Sequence, residues 1–266
     1  VERNSMNKSK KFLKIVATLL IILLVTYLVS TVLFLKLIDT NNPNDGLYNL
    51  LLTQLLIAIC TYILIKLKKR KYGNLYISNK GLLSDSWKMM IIGFGAAGFG
   101  NIIIGVLMNL FKENTLVNQS IDIVSNAFSA NDTLSIIIQT ILVVIVAPIT
   151  EEILFRGFVF HETKKLYSLT TSVIINGVLF GLYHMNLLQG VNTFFLAMIL
   201  SLVYYYRRNI SDCIIIHASN NLVAILSILI PNYLNIISVL LIIFLFIGSY
   251  LIYKMIRNNK ELLQNE

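Results

Sequence analysis

Apolar runs long enough to cross a lipid bilayer follow one another through most of this 266-residue chain. A helical crossing needs about 20 mainly apolar residues, because inside the hydrocarbon every backbone N–H and C=O must be satisfied within the segment. The runs predict about eight spans, roughly Phe12–Ile38, Leu47–Ile65, Trp87–Phe111, Leu134–Phe160, Thr171–Leu188, Val191–Tyr206, Cys213–Ile230 and Leu234–Tyr253. With 56% hydrophobic and 13% charged residues, an ordinary soluble domain is excluded. The expected fold class is all-α, a polytopic membrane protein forming a single integral membrane domain over residues 1–266.

The formal net charge of +9 is not a nucleic-acid signal, because the bases gather at span ends. Lys8, Lys10, Lys11 and Lys14 precede the first span, and Lys66, Lys68, Lys69, Arg70 and Lys71 close the second. Arg156, Lys164 and Lys165 attend the fourth, Arg207 and Arg208 end the sixth, and Lys254, Arg257 and Lys260 follow the last. The loops between hold few bases, chiefly Lys36 and Lys112, and the Asp39–Gly46 loop has two acids and no base. The positive-inside rule then places both termini in the cytoplasm of a multi-pass cell-membrane protein, with lipid as its surrounding partner. The first run is too long for a signal-peptide core and reads as a retained span.

Other segments carry local expectations. Gly93, Gly95, Gly98, Gly100 and Gly105 in the third span predict close helix approach, since small residues line membrane helix interfaces. Residues 112–132 are polar with scattered apolar positions and predict a surface segment. The sixth span looks short, which places the tip of the fifth–sixth hairpin near Gly190, below the outer surface. Cys60 and Cys213 both lie in apolar runs and exclude a disulfide framework or a four-thiolate metal site.

Against this background, Glu151, Glu152 and Arg156 in the fourth span stand out. A charge at the centre of a spanning helix costs about 2.5–3.5 kcal/mol on insertion scales, so its presence points to a site. Pro148, three positions before Glu151, is the one proline inside a span and predicts a kink. Glu152 and Arg156 are four apart with the acid first, the favoured helical ion-pair arrangement. Glu151 points about 100° away from Glu152 and is left as the reactive carboxylate. A carboxyl desolvated in a pocket holds its proton more tightly, which suits a general base. The competing explanation is that the three residues merely mark the cytosolic end of the span.

Of three histidines, His161 follows the end of the fourth span and reads as a solvated interfacial residue. His184 lies one turn after Phe180, and His217 lies one turn before Asn221. A single buried histidine is usually a helix-contact residue; two in separate spans, with an intramembrane Glu-Glu, shift that balance. Such groups can bind a metal through Glu and His, or position a water and stabilise an oxyanion.

Glu151-Glu152-x-x-x-Arg156, Phe180-x-x-x-His184 and His217-x-x-x-Asn221 together resemble the three motifs of the CAAX prenyl protease and bacteriocin-processing (CPBP, or Abi) intramembrane endopeptidases. The resemblance covers about residues 130–230 and implies a catalytic core in helices four to seven with a cavity open to the cytosol. It implies that Glu151 and His184 hold and activate a water, that His217 and Asn221 stabilise the oxyanion, and that Glu152 and Arg156 support them. It implies either a Zn2+ ion held by Glu151, His184 and His217 or a metal-independent, glutamate-activated route. The expected substrate is a membrane-associated peptide, as in bacteriocin or signalling-peptide processing or self-immunity. Two other classes compete: a non-catalytic membrane scaffold or immunity partner, and a proton-coupled transporter with an intramembrane carboxylate. No internal repeat of the kind many transporters show is visible, and no P-loop supports ATP-driven work.

Overall fold

The computed structural model describes residues 2–37, 45–72, 85–127 and 132–263. Most of the Asp39–Gly46 loop and the side chains of Lys36, Lys69, Arg70, Lys71 and Lys260 lie outside the described residues. The described residues form helices, with no strand among them. These are α1 (Glu2–Leu37), α2 (Asp45–Tyr72), α3 (Ser86–Leu110), α4 (Thr115–Ala127) and α5, which runs from Thr133 to Lys164. There follow α6 (Leu169–Tyr183), α7 (Leu187–Arg207), α8 (Ile210–Leu229) and α9 (Leu234–Leu263). Seven of them are long and apolar enough to span a membrane, and α6 is a shorter apolar helix. The chain is a multi-pass, all-α membrane protein.

The helices sort into two compact units, Val1–Leu75 with Asp132–Ser172, and Tyr76–Asn131 with Val173–Glu266. The first unit holds α1, α2 and α5. Its α1–α2 contact includes the hydroxyls of Ser30 and Thr53 at 2.6 Å, a polar link of the kind that joins membrane helices where burial alone gives no drive. α2 meets α5 where the Thr150 hydroxyl donates to the Gln54 carbonyl at 3.3 Å and where Lys68 pairs with Glu162 at 3.0 Å.

The second unit is built around α3. Gly93 lies so close to α8 that a Cβ there would run into the Ile216 carbonyl oxygen and sit 2.7 Å from the Ser219 Cβ. Gly95 and Gly98 admit α9 in the same way, while Gly105 faces open space and plays no such part. Gly93→Ala must push α3 and α8 apart, and backbone gives way less readily than a side chain. Its expected cost is about 1–3 kcal/mol. Gly105→Ala, by contrast, leaves thermal unfolding in lipid or detergent unchanged or slightly improved, since Ala is the better helix former.

A single cation ties three helix ends together in this unit. Arg207 at the end of α7 donates from Nε to Asp212 on α8 at 2.5 Å and from Nη1 to Asp85, which precedes α3, at 3.3 Å. Asp85 also accepts from Lys88 at 2.6 Å. That bond to Lys88, reinforced by Arg207, holds the Asp85 carboxyl below its ordinary value of 3.8. A depressed folded value means that the stabilisation is complete above the unfolded value and is lost as pH falls through the folded one. Unfolding of the parent in a pH series is therefore flat near neutrality and steepens below pH 3.8, and Asp85→Asn flattens part of that acid limb.

Two expectations are corrected here. The hairpin tip is not near Gly190: α6 ends at Tyr183 and α7 starts at Leu187, so the tip is His184-Met185-Asn186. The Asn186 side chain accepts from Gln189 N–H at 2.9 Å and caps α7, so the cap, not hydropathy, sets where the helix begins. The short helix is accordingly α6, with 15 residues or about 22 Å, whereas α7 has 21 residues, about 31 Å. The polar 112–132 segment contains a 13-residue amphipathic helix, α4.

Candidate functional site

The first unit contributes Glu151, Glu152 and Arg156 from one helix. α5 starts cleanly, with the Asp132 side chain accepting from Ser135 N–H at 2.9 Å. It then widens twice into π-helical turns, Leu142–Val146 and Ile153–Phe160, on either side of Ala147–Glu152. The kink expected at Pro148 takes this form. Proline has no N–H to donate, and the preceding turn shifts register so that Ala147 N–H reaches back to Leu142. Wide turns of this kind are frequent at functional sites.

Arg156 donates from Nη1 to Glu152 Oε1 at 2.9 Å, and both side chains are fully buried. The expected pair is present. Arg156 is thus a buried partner rather than one of the loop bases that mark sidedness. Glu151, one position earlier, is 5% exposed. His161 lies just after the π-helical turn and is partly buried, less open than its polar neighbourhood suggested.

The second unit contributes His184, His217 and Asn221. Both imidazoles meet one aromatic ring edge-to-face: Phe180 lies 5.0 Å from His184 and 5.7 Å from His217, centroid to centroid, at 72° and 77°. Tyr183 completes the wall, 5.2 Å from His184. These are favourable aromatic geometries that restrict ring rotation. Gly181 permits this local compactness, since a Cβ there would sit 2.7 Å from the Gly190 carbonyl oxygen on α7.

The tautomer of His184 follows from its bonding. Nδ1 lies 2.9 Å from the Phe180 carbonyl oxygen, which can only accept. In the neutral ring Nδ1 therefore carries the hydrogen, and Nε2 is the lone-pair nitrogen. Such a nitrogen can accept from a water or ligate a metal. His217 is 1% exposed and follows Ile216, the residue against which Gly93 packs, so the α3–α8 crossing fixes its height. One turn on, the Asn221 side-chain oxygen accepts from Asn220 at 3.2 Å, which leaves its NH2 as the donor end. Within neither unit do three His, Cys, Asp or Glu side chains among the described residues gather as a metal site. The suggested donor set divides into one carboxylate from the first unit and two imidazoles from the second.

Sequence reasoning missed Asn186 and Ser120. Asn186 was visible as a capping residue just before Leu-Leu-Gln, at a helix start. Ser120, whose partner lies 66 residues away, left no local signal.

No curated protein and no solved structure matches the chain. Residues 133–223 match the family described as type II CAAX prenyl endopeptidase Rce1-like. That stretch begins at the first residue of α5 and closes two residues after Asn221, so it contains Glu151, Glu152, Arg156, His184, His217 and Asn221. Over residues 133–223, within a multi-pass helical membrane protein, the chain is therefore similar to the type II CAAX prenyl endopeptidase Rce1-like family.

Proposed function

We propose that the chain is an intramembrane endopeptidase that hydrolyses a peptide bond in a membrane-associated peptide. The observation that carries this reading is the bonding of His184 inside the Rce1-like stretch, with Nδ1 donating to the Phe180 carbonyl and Nε2 left as acceptor.

Each step can be assigned to this chain's own residues. Glu151 takes one proton from a water, and His184 Nε2 accepts a hydrogen bond from the other, which aims the oxygen lone pair. The water oxygen bonds to the peptide carbonyl carbon, and the carbonyl oxygen becomes an oxyanion. His217 and the Asn221 NH2 donate to that oxyanion. The C–N bond then breaks, and Glu151 returns its proton to the leaving amine. Glu152 and Arg156 hold α5 in register beneath Glu151. One carboxylate and two imidazoles, one with its tautomer set by a backbone carbonyl, also fit Zn2+ chemistry. Glu151, His184 and His217 are the residues that would hold the ion, which when bound supplies Lewis-acid polarisation of water. Both termini lie in the cytoplasm in this proposal, and the enclosing bilayer is the cell membrane.

The test is cleavage in lipid discs of two peptide sets, one membrane-inserting and unmodified, one ending in an S-prenylated cysteine. Separate His184→Ala and His217→Ala proteins serve as controls. Processing by the parent and loss in both variants supports the peptidase. Cleavage that survives both substitutions overturns the roles given to His184 and His217, and a parent that cleaves neither set returns the chain to the scaffold reading. Which peptide set is cut assigns the substrate class.

A further inference from the structure

The turn that carries His184 is held from outside its own hairpin. Asn186, 7% exposed, uses both ends of its side-chain amide. The oxygen caps α7, and the NH2 donates to the Ser120 carbonyl on α4 at 3.0 Å. Ser120 returns the contact, its hydroxyl accepting from Leu187 N–H at 3.2 Å while donating to the Leu116 carbonyl at 2.7 Å. Both bonds fall within three residues of His184. The turn needs such support, because Met185 adopts φ 48°, the left-handed region, and is 90% exposed. A residue in that conformation persists only where its surroundings impose it.

α4 is suited to impose it. Val117 and Ser120 are 3% and 4% exposed and form its docked face. Leu116 and Ile123, 62% and 56% exposed, lie along one edge of that face, with Asn118, Gln119, Asp122 and Ser125 exposed beyond it.

We propose that α4 is a strut that positions the His184 turn, with Ser120 and Asn186 as its positioning residues. The catalytic consequence rests on the peptidase reading given above; the mechanical one does not. Asn186→Asp separates the two jobs of the residue, because it keeps the oxygen that caps α7 and removes the NH2 that reaches α4. Ser120→Ala removes the returning hydroxyl, and Ser120→Thr restores one.

The measurements are amide hydrogen exchange over residues 183–190 and peptide cleavage, both on the full chain in lipid discs. Asn186→Asp and Ser120→Ala each raise exchange over 183–190 about tenfold, the size of one net buried hydrogen bond, while Ser120→Thr exchanges like the parent. In an active parent, kcat falls by about the same factor at unchanged KM, and Ser120→Thr rescues it. Unaltered exchange in both Asn186→Asp and Ser120→Ala overturns the strut. Raised exchange with unaltered kcat overturns its positioning role. A parent that cleaves neither peptide set overturns the peptidase reading instead, and exchange still decides the strut.

Discussion

Glu151→Gln lowers kcat for peptide cleavage about 10²–10⁴-fold while the folded protein and its KM stay close to the parent's. Glutamine has nearly the same shape and keeps one carbonyl oxygen, so the packing around α5 survives. It loses the ability to take a proton from water. An interaction needed only in the transition state changes kcat, whereas one used equally for ground-state binding changes KM. Replacing His217, the proposed oxyanion donor, instead costs about 10²–10³-fold, the usual range for one oxyanion-hole donor. The two variants also differ in pH response. On the proposed mechanism the parent gains activity as Glu151 deprotonates, and that acid-side limb vanishes in Glu151→Gln because no titrating base remains. It persists in His217→Ala. A Glu151→Gln protein that cleaves as fast as the parent sinks the role assigned to Glu151, and stopped assays across pH in lipid discs decide it.

How much of this was legible beforehand depended on how local each determinant is. Glu152 and Arg156 were readable as a pair because helix geometry alone brings positions four apart together, and their 2.9 Å contact follows. The glycines of α3 were readable as an interface because small residues have few other uses in a spanning helix. Gly105 lacked the neighbour that would give it one. The tip of the His184 hairpin was misplaced for a physical reason. Hydropathy sees Phe180 to Leu188 as one apolar stretch, whereas the chain breaks where Asn186 offers a cap and Met185 accepts a left-handed backbone. The π-helical turns around Pro148 were foreseen only as a kink, since a missing N–H predicts disruption but not the register that absorbs it. The bonds from α4 to Asn186 were invisible, because nothing in either segment names a partner 66 residues away.

The buried pair in α5 leads to the largest expected effect on folding. Glu152 and Arg156 are both 0% exposed and lie 2.9 Å apart, in a setting that cannot supply bulk water. Arg156→Met preserves much of the volume but leaves the Glu152 carboxylate without its cation. Breaking a buried pair from one side typically costs about 3–5 kcal/mol, because the remaining charge is left uncompensated. Near the stability of an ordinary domain, about 5–15 kcal/mol, that is enough to deplete the folded protein severely. The companion variant Glu152→Gln/Arg156→Met removes both charges. If the penalty is the stranded carboxylate, the double variant recovers most of the lost stability, since neutral replacements of buried pairs are often tolerated. If the guanidinium matters chiefly as a scaffold for α5, the double variant stays as unstable as the single one. Thermal unfolding in detergent separates these outcomes. Cleavage by the recovered double variant then tells whether the pair serves only to hold the helix beneath Glu151. A stable but inactive double variant would make the charges themselves part of how Glu151 is tuned. A stable and active one would leave them a purely structural support.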